Sequence, residues 1–157
     1  MIGYFDTSAF IPLLVVEPNS AACRRFWDLA DDVVASRLLY VESAAALAQA
    51  HRMGRLDTSA FRTASRLRDE LWQQLDVTEV DERLVQTAAV FAERYALRGY
   101  DAVHCAVAAQ LDDPDLVAAS GDGKLLAAWK SLGIATFDSN APDDQRDQSI
   151  GDRSTFD

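Results

Sequence analysis

Four carboxylates in this chain stand where chemistry competes with packing as the explanation for them. Asp6 ends the short apolar run Ile2-Gly3-Tyr4-Phe5 and is followed by the hydroxyl pair Thr7-Ser8 and a helix-like segment through Phe10, Ile11, Leu13 and Leu14. Asp122 follows a second such run, Leu116-Val117-Ala118-Ala119-Ser120, in the loop Gly121-Asp122-Gly123 that precedes another helix. Both spacings aim an aspartate out of the end of a strand. Asp101 opens the apolar stretch from Ala102 to Leu111, and Glu42 sits among Val41, Ala44, Ala45, Leu47 and Ala48, small neighbours that mark a closely packed helix. Taken singly, each has a local explanation. Aspartate is a favoured helix N-cap, and a glutamate in a first helical turn gains about 0.3–1 kcal/mol from the helix dipole. A shared pocket is different, because two like charges 4 Å apart repel by about 4 kcal/mol at an effective dielectric of 20. Such a cluster needs a cation. Hard oxygen ligands without thiolate or clustered imidazole favour Mg²⁺ or Mn²⁺, ions that activate water and balance charge in phosphoryl chemistry. His104 shares roughly the face of Asp101. With no second histidine near it and no evident relation to His51, it is expected as a hydrogen-bonded or substrate-side group rather than a metal ligand.

The elements that must carry these residues are legible as apolar runs separated by helical segments. Strands are expected at Tyr4-Phe5, Val33-Val34-Ala35, Val77 to Val80, Leu116 to Ala119 and Ile134 to Phe137, and helices at about 8–15, 20–30, 38–53, 58–74, 82–97, 101–111 and 123–132. Strands alternating with helices define an α/β domain with a mainly parallel sheet. Gly54, Gly99 and Gly133 each follow an apolar-periodic run, as residues closing a helix do. In a parallel sheet the strands before Asp6 and Asp122 run the same way, so both aspartates emerge at one carboxyl edge, where open α/β folds place their sites. Direction alone joins two carboxylates 116 residues apart.

Composition narrows the function further. The chain has 157 residues, 49% hydrophobic, which suits one domain with a sizeable core. Its net charge of −10 argues against a broad basic surface that holds nucleic acid by its phosphates, and leaves open a nuclease whose acidity is answered by metal. The last twenty residues carry Asp138, Asp143, Asp144, Asp147, Asp152 and Asp157 against Arg146 and Arg153, so the domain is expected over 1–138 and an acidic, disordered tail over 139–157. No run approaches the roughly 18 apolar residues of a membrane span. The N-terminus also lacks the pattern of a signal peptide, so a cytoplasmic location and no membrane partner are expected. Cys23 and Cys105 are too few and too far apart for a disulfide framework or zinc site and are expected as reduced packing residues.

Taken in order, these motifs resemble those of the PIN-domain nucleases, and within them the VapC-type toxins of bacterial toxin–antitoxin modules. Asp6-Thr7-Ser8-Ala9 is similar to the family's first acidic motif, Glu42 to its second, Leu97-Arg98-Gly99-Tyr100-Asp101-Ala102-Val103-His104 to its third, and Ser120-Gly121-Asp122-Gly123-Lys124-Leu125-Leu126 to its fourth. The likeness spans about residues 1–137. It implies a five-stranded parallel sheet in the order 3-2-1-4-5 and Mg²⁺- or Mn²⁺-dependent endoribonuclease activity on cellular RNA, such as transfer or ribosomal RNA, that arrests translation. It also implies homodimerisation and inhibition by a cognate antitoxin. Asp6 and Asp101 are then the direct metal ligands, with Glu42 and Asp122 acting directly or through bound water. Ser8, Ser120 and Lys124 fall on the substrate side, and the glycines around Asp122 would let its loop move. The arginine group Arg52, Arg55, Arg62, Arg66 and Arg68 is expected to form salt bridges on an exposed face rather than to guide RNA. Alternatives are a non-toxin PIN nuclease, a catalytically inactive PIN-like interaction module, and a receiver-type domain phosphorylated on aspartate. The last leaves Glu42 without a role and lacks a second acidic residue beside Asp6.

Overall fold

Alternation along the first strand sets up two helical layers, because successive side chains of a strand point to opposite faces. The computed structural model describes residues 1–142, in the order β1 (Ile2–Phe5), α1 (Thr7–Leu14), α2 (Ser20–Leu29), β2 (Asp32–Ser36), α3 (Leu38–Arg52), α4 (Thr58–Trp72), β3 (Asp76–Thr78), α5 (Glu82–Tyr95), α6 (Gly99–Leu111), β4 (Leu116–Ser120), α7 (Gly123–Ser131) and β5 (Ala135–Asp138). Phe5 packs with Phe10, Phe26, Trp27 and Leu47 on the face covered by α1 to α4. Tyr4 packs with Leu84, Cys105, Val107 and Trp129 on the face covered by α5 to α7. All strand pairs are parallel and the order is β3-β2-β1-β4-β5, the five-stranded arrangement expected.

The register places the tips of β1 and β4 side by side. Phe5 pairs with Ala119, and the Asp6 amide donates to the Ala119 carbonyl at 3.2 Å. β1, at the centre of the sheet, reverses the strand order there, and a crevice opens outside the carboxyl ends. Three of the four crossovers hold a pair of helices. α6 is buried along Ala102, His104, Cys105, Ala106, Val107 and Ala108, as its apolar sequence requires. Both cysteines are buried and unbridged, and burial pushes the Cys105 thiol up to about 12, so it stays protonated as a packing group. Among the described residues no helix is long and apolar enough to cross a membrane.

Four local expectations change. Gly99 does not close α5: Ala96 takes the left-handed conformation there, at φ 52°, and Gly99 begins α6. Asp101 therefore does not cap α6. Arg98 holds the cap position, and Asp101 lies in the first turn with its carboxylate released from capping. Glu42 is the fifth residue of α3, beyond the first turn, so the helix dipole does not account for it. The body also runs past residue 138: Ser139 is fully buried and its amide donates to the Ser120 carbonyl at 2.9 Å. The rest of the expected tail, from 143 onward, lies outside the described residues.

Candidate active site

Asp6 is the anchor of the carboxyl edge. It is only 4% exposed, and its position after β1 makes it the N-cap of α1, with Oδ1 accepting from the Ala9 amide at 3.0 Å. Ser8 Oγ donates to Oδ1 at 2.8 Å and lies 3.1 Å from Oδ2, while Ser120 Oγ donates to Oδ2 at 2.8 Å. Capping and site geometry thus use the same carboxylate. Burial pushes the Asp6 pKa up; the nearby His104 ring, the two serine hydroxyls and the Ala9 amide pull it back, and the balance stays above the ordinary aspartate value.

The two serines also lace the fourth motif to the first. Ser8 Oγ accepts from the Gly121 amide at 2.7 Å, and Ser120 Oγ accepts from the Asp122 amide at 2.9 Å. Asp122 caps α7, its Oδ1 accepting from the amides of Lys124 at 2.8 Å and Leu125 at 3.0 Å. Lys124 is exposed on the first turn of that helix. The glycine loop is held rather than loose, since Asn140 Nδ2 donates to the Gly121 carbonyl at 3.1 Å and Asn19 Nδ2 donates to Asn140 Oδ1 at 3.1 Å. Gly121 is needed for this close approach. A Cβ there would stand 2.8 Å from Asn140 Nδ2 and 3.0 Å from Ser139 Oγ, so Gly121→Ala must displace Asn140 from both hydrogen bonds. We expect that variant to lose about 1–2 kcal/mol of stability, the scale of one or two hydrogen bonds. Thermal unfolding should report a melting point lower by roughly 2–8 °C for a chain of this size.

Glu42 and Asp101 complete the edge from the two helical layers. Glu42 reaches from α3 to the buried ring of His104 on α6, with Nε2 donating to Oε2 at 2.7 Å. The other ring nitrogen, Nδ1, lies 2.7 Å from the Tyr4 hydroxyl. His104 is 1% exposed; burial pushes its pKa down, but the Glu42 hydrogen bond and the charges of Glu42, Asp6 and Asp101 leave it raised. Tyr4 is held well above the ordinary phenol value by burial first and then by the charges of Asp6 and Glu42, so it remains a neutral hydroxyl. Asp101 is partly buried with no hydrogen bond or ion pair among the described residues. Burial and the negative charges of Asp122 and Glu42 push its pKa up, against the opposing pull of His104 and Arg98, for a net rise.

Like-charge crowding of this kind is what a bound cation relieves, and the donor set of carboxylate oxygens fits a hard divalent ion. The four side chains converge on one edge without closing into a ready cage: among the described residues no group of three or more His, Cys, Asp or Glu is gathered tightly enough to hold a metal ion. A separate groove of about 690 Å³ lies between α1, α3 and α4, lined by Ile11, Leu14, Val15, Leu47, Ala50 and Leu56. None of the four carboxylates lines it.

Two contributors escaped the sequence reading. Tyr4 was legible only as core, although a buried tyrosine hydroxyl ordinarily finds a hydrogen-bond partner, and that signal pointed to a polar neighbour. Asn140 fell in the segment assigned to the tail. The arginine group behaves unevenly as well. Arg68 pairs with Asp69 at 2.8 Å and lies over the Tyr40 ring, whereas Arg52, Arg55, Arg62 and Arg66 are exposed with no ion pair among the described residues.

Comparison with known proteins agrees with this architecture. The family model described as PIN domain matches residues 3–139. Ribonuclease VapC49 of Mycobacterium tuberculosis is 41% identical over 122 residues, covering 78% of this chain and 85% of that protein. Ribonuclease VapC46 of the same organism is 32% identical over 134 residues, covering 85% and 95%. Among solved structures, FitAcB from Neisseria gonorrhoeae superposes with a TM-score of 0.65 at 20% identity, covering 88% of this chain and 98% of that one, and so shares the fold. The chain belongs to the PIN domain family and is closely related within it to the VapC ribonucleases of toxin–antitoxin systems.

Proposed function

We propose that the protein is a Mg²⁺- or Mn²⁺-dependent endoribonuclease that acts as the toxin of a toxin–antitoxin pair, cutting cellular RNA to arrest translation. One observation carries the reading: the buried carboxylate of Asp6, tied by Ser8 and Ser120 to the loop that carries Asp122, acts on the same His104 ring as Glu42 and Asp101, and Asp101 in turn is crowded by Glu42 and Asp122. The relatives named ribonucleases support it at 41% and 32% identity.

Asp6 and Asp101 would hold the cation directly, with Glu42 and Asp122 as further oxygen donors. When bound, the ion would lower the pKa of water and offset charge on the scissile phosphate. The chain's own residues do the positioning. Ser8 and Ser120 donate to Asp6, which favours its ionised form against the cost of burial. They also hold the Gly121-Asp122 loop against the end of β1, so the fourth carboxylate keeps its distance from the first. Asp101, with no competing partner, is the carboxylate free to turn toward incoming charge. Lys124 stands exposed on the same loop-to-helix turn and supplies a cation for an RNA phosphate. The apolar groove between α1, α3 and α4, with Glu17, Arg55 and Asp57 in its lining, suits an amphipathic segment of an antitoxin. We include homodimerisation and a cytoplasmic location in the same reading.

Expression in a bacterial host tests the toxin role. We expect induction to halt growth and protein synthesis, with new RNA fragments appearing before the arrest, and co-expression of the antitoxin to restore growth. Unimpaired growth at high expression of soluble protein would count against it.

A further inference from the structure

We propose that His104 is a positioning residue for the carboxylate centre: it fixes Glu42 through one oxygen and leaves the other available to a divalent cation, with Tyr4 locking the imidazole. The inference rests on the nuclease reading in taking Glu42 as a cation ligand. His104 is 1% exposed in a helix whose other buried residues are Ala102, Cys105, Ala106, Val107 and Ala108. An apolar side chain would fill such a place without the cost of burying a polar ring. The imidazole instead uses both nitrogens, 2.7 Å from Glu42 Oε2 and 2.7 Å from the Tyr4 hydroxyl. Two anchors from different elements leave it one orientation.

The direction of these bonds follows from the partners. A carboxylate only accepts, so Nε2 carries the hydrogen toward Glu42. The Tyr4 hydroxyl can donate to a neutral ring or accept from a charged one. The brace therefore holds in either protonation state. Glu42 Oε1 has no hydrogen bond among the described residues, and the side chain is 17% exposed, so one oxygen is spoken for and one is open. Tyr4 lies on the strand that delivers Asp6, and His104 lies three residues from Asp101 on α6. The brace thus ties together the elements that carry three of the four carboxylates. Outer partners of metal-binding carboxylates commonly act this way.

The test is calorimetric titration of the metal-free full-length protein with Mn²⁺ alone, without RNA. His104→Ala should weaken Mn²⁺ binding by about 10–100-fold, the usual cost of losing such a partner. His104→Gln, whose amide is a donor of similar reach, should recover most of that loss. In a Glu42→Gln background, His104→Ala should change the affinity by less than about twofold, because the histidine acts through the glutamate. Tyr4→Phe keeps the ring packing and removes one anchor, and should weaken binding several-fold; it decides the matter if His104→Ala does not fold. In RNA cleavage the same variants should lower kcat with KM for RNA unchanged. Wild-type affinity in His104→Ala, or in Tyr4→Phe where the alanine variant cannot be obtained, would overturn the proposal, as would full additivity with Glu42→Gln or a wild-type protein that takes up no Mn²⁺. A protein that shows the predicted Mn²⁺ pattern but cuts no RNA would instead refute the nuclease reading and leave the positioning role standing.

Discussion

Asp6→Asn is expected to lower metal-dependent RNA cleavage by at least about 10²–10³-fold, the cost of deleting one preorganised electrostatic group from an active site, while leaving the fold in place. The fold survives because asparagine is as good an N-cap as aspartate. Its amide oxygen can still accept from Ala9 at Oδ1, and the hydroxyls of Ser8 and Ser120 can rotate to accept from the new amide. What disappears is the negative charge at the tip of β1. Asp101→Asn should reach a similar loss by a cleaner route, since Asp101 caps nothing and has no hydrogen-bond partner to lose. Single-turnover cleavage of a structured RNA, with circular dichroism to confirm folding, checks both. Cleavage at the wild-type rate in the two folded variants would remove the carboxylates from the chemistry.

The second large effect is on stability. Saturating Mn²⁺ at about 100 times its dissociation constant should stabilise the protein by about 2.7 kcal/mol, or roughly 5–11 °C in melting temperature for a chain of this size. The effect should grow with pH, and the sign follows from the native pKa values. Asp6 is raised above 3.8 by burial, and Asp101 above 3.8 by burial and the charges of Asp122 and Glu42, opposed by His104 and Arg98. The folded state then binds more protons than the unfolded chain once pH passes the ordinary aspartate value, so stability falls as pH rises through the native values. His104 acts in the same direction: its raised pKa contributes stability that is full below 6.5 and lost as pH climbs through the native value. The metal-free protein should therefore melt at a higher temperature near pH 5 than near pH 8, with Mn²⁺ recovering most of the difference at pH 8. Asp101→Asn should raise the metal-free melting point by about 1–2 °C, since relief of a partly exposed like-charge contact is worth roughly 0.5 kcal/mol, and should blunt the response to Mn²⁺. A melting curve indifferent to both pH and metal would contradict the crowding.

Much of this architecture is legible in the sequence. Short apolar runs separated by periodic helices specify a parallel sheet, and strand direction alone brings Asp6 and Asp122 to one edge. Glycine after a helix was a sound guide at Gly54 and Gly133, which both take positive φ. It failed at Gly99, because Ala96 closes α5 in a conformation its side chain disfavours and so leaves no mark in the sequence. That shift of three residues turns Asp101 from a cap into an unpartnered carboxylate. The bridge from Glu42 through His104 to Tyr4 was out of reach for another reason. It joins residues 62 and 100 positions apart on three elements, and no local pattern encodes a contact made only when both helical layers close over the sheet. The Asn140 clamp was lost with the domain boundary: a polar, proline-containing stretch after β5 reads as tail until its hydrogen bonds to Gly121 are seen.

The central claim, that this carboxylate edge is a cation-dependent ribonuclease site, is tested most directly by stripping the purified protein with a chelator, adding RNA, and following cleavage before and after Mn²⁺ is restored. Cleavage that is absent in chelator and appears on addition of Mn²⁺ is the predicted result. Equal cleavage in both conditions, or none in either, would contradict it.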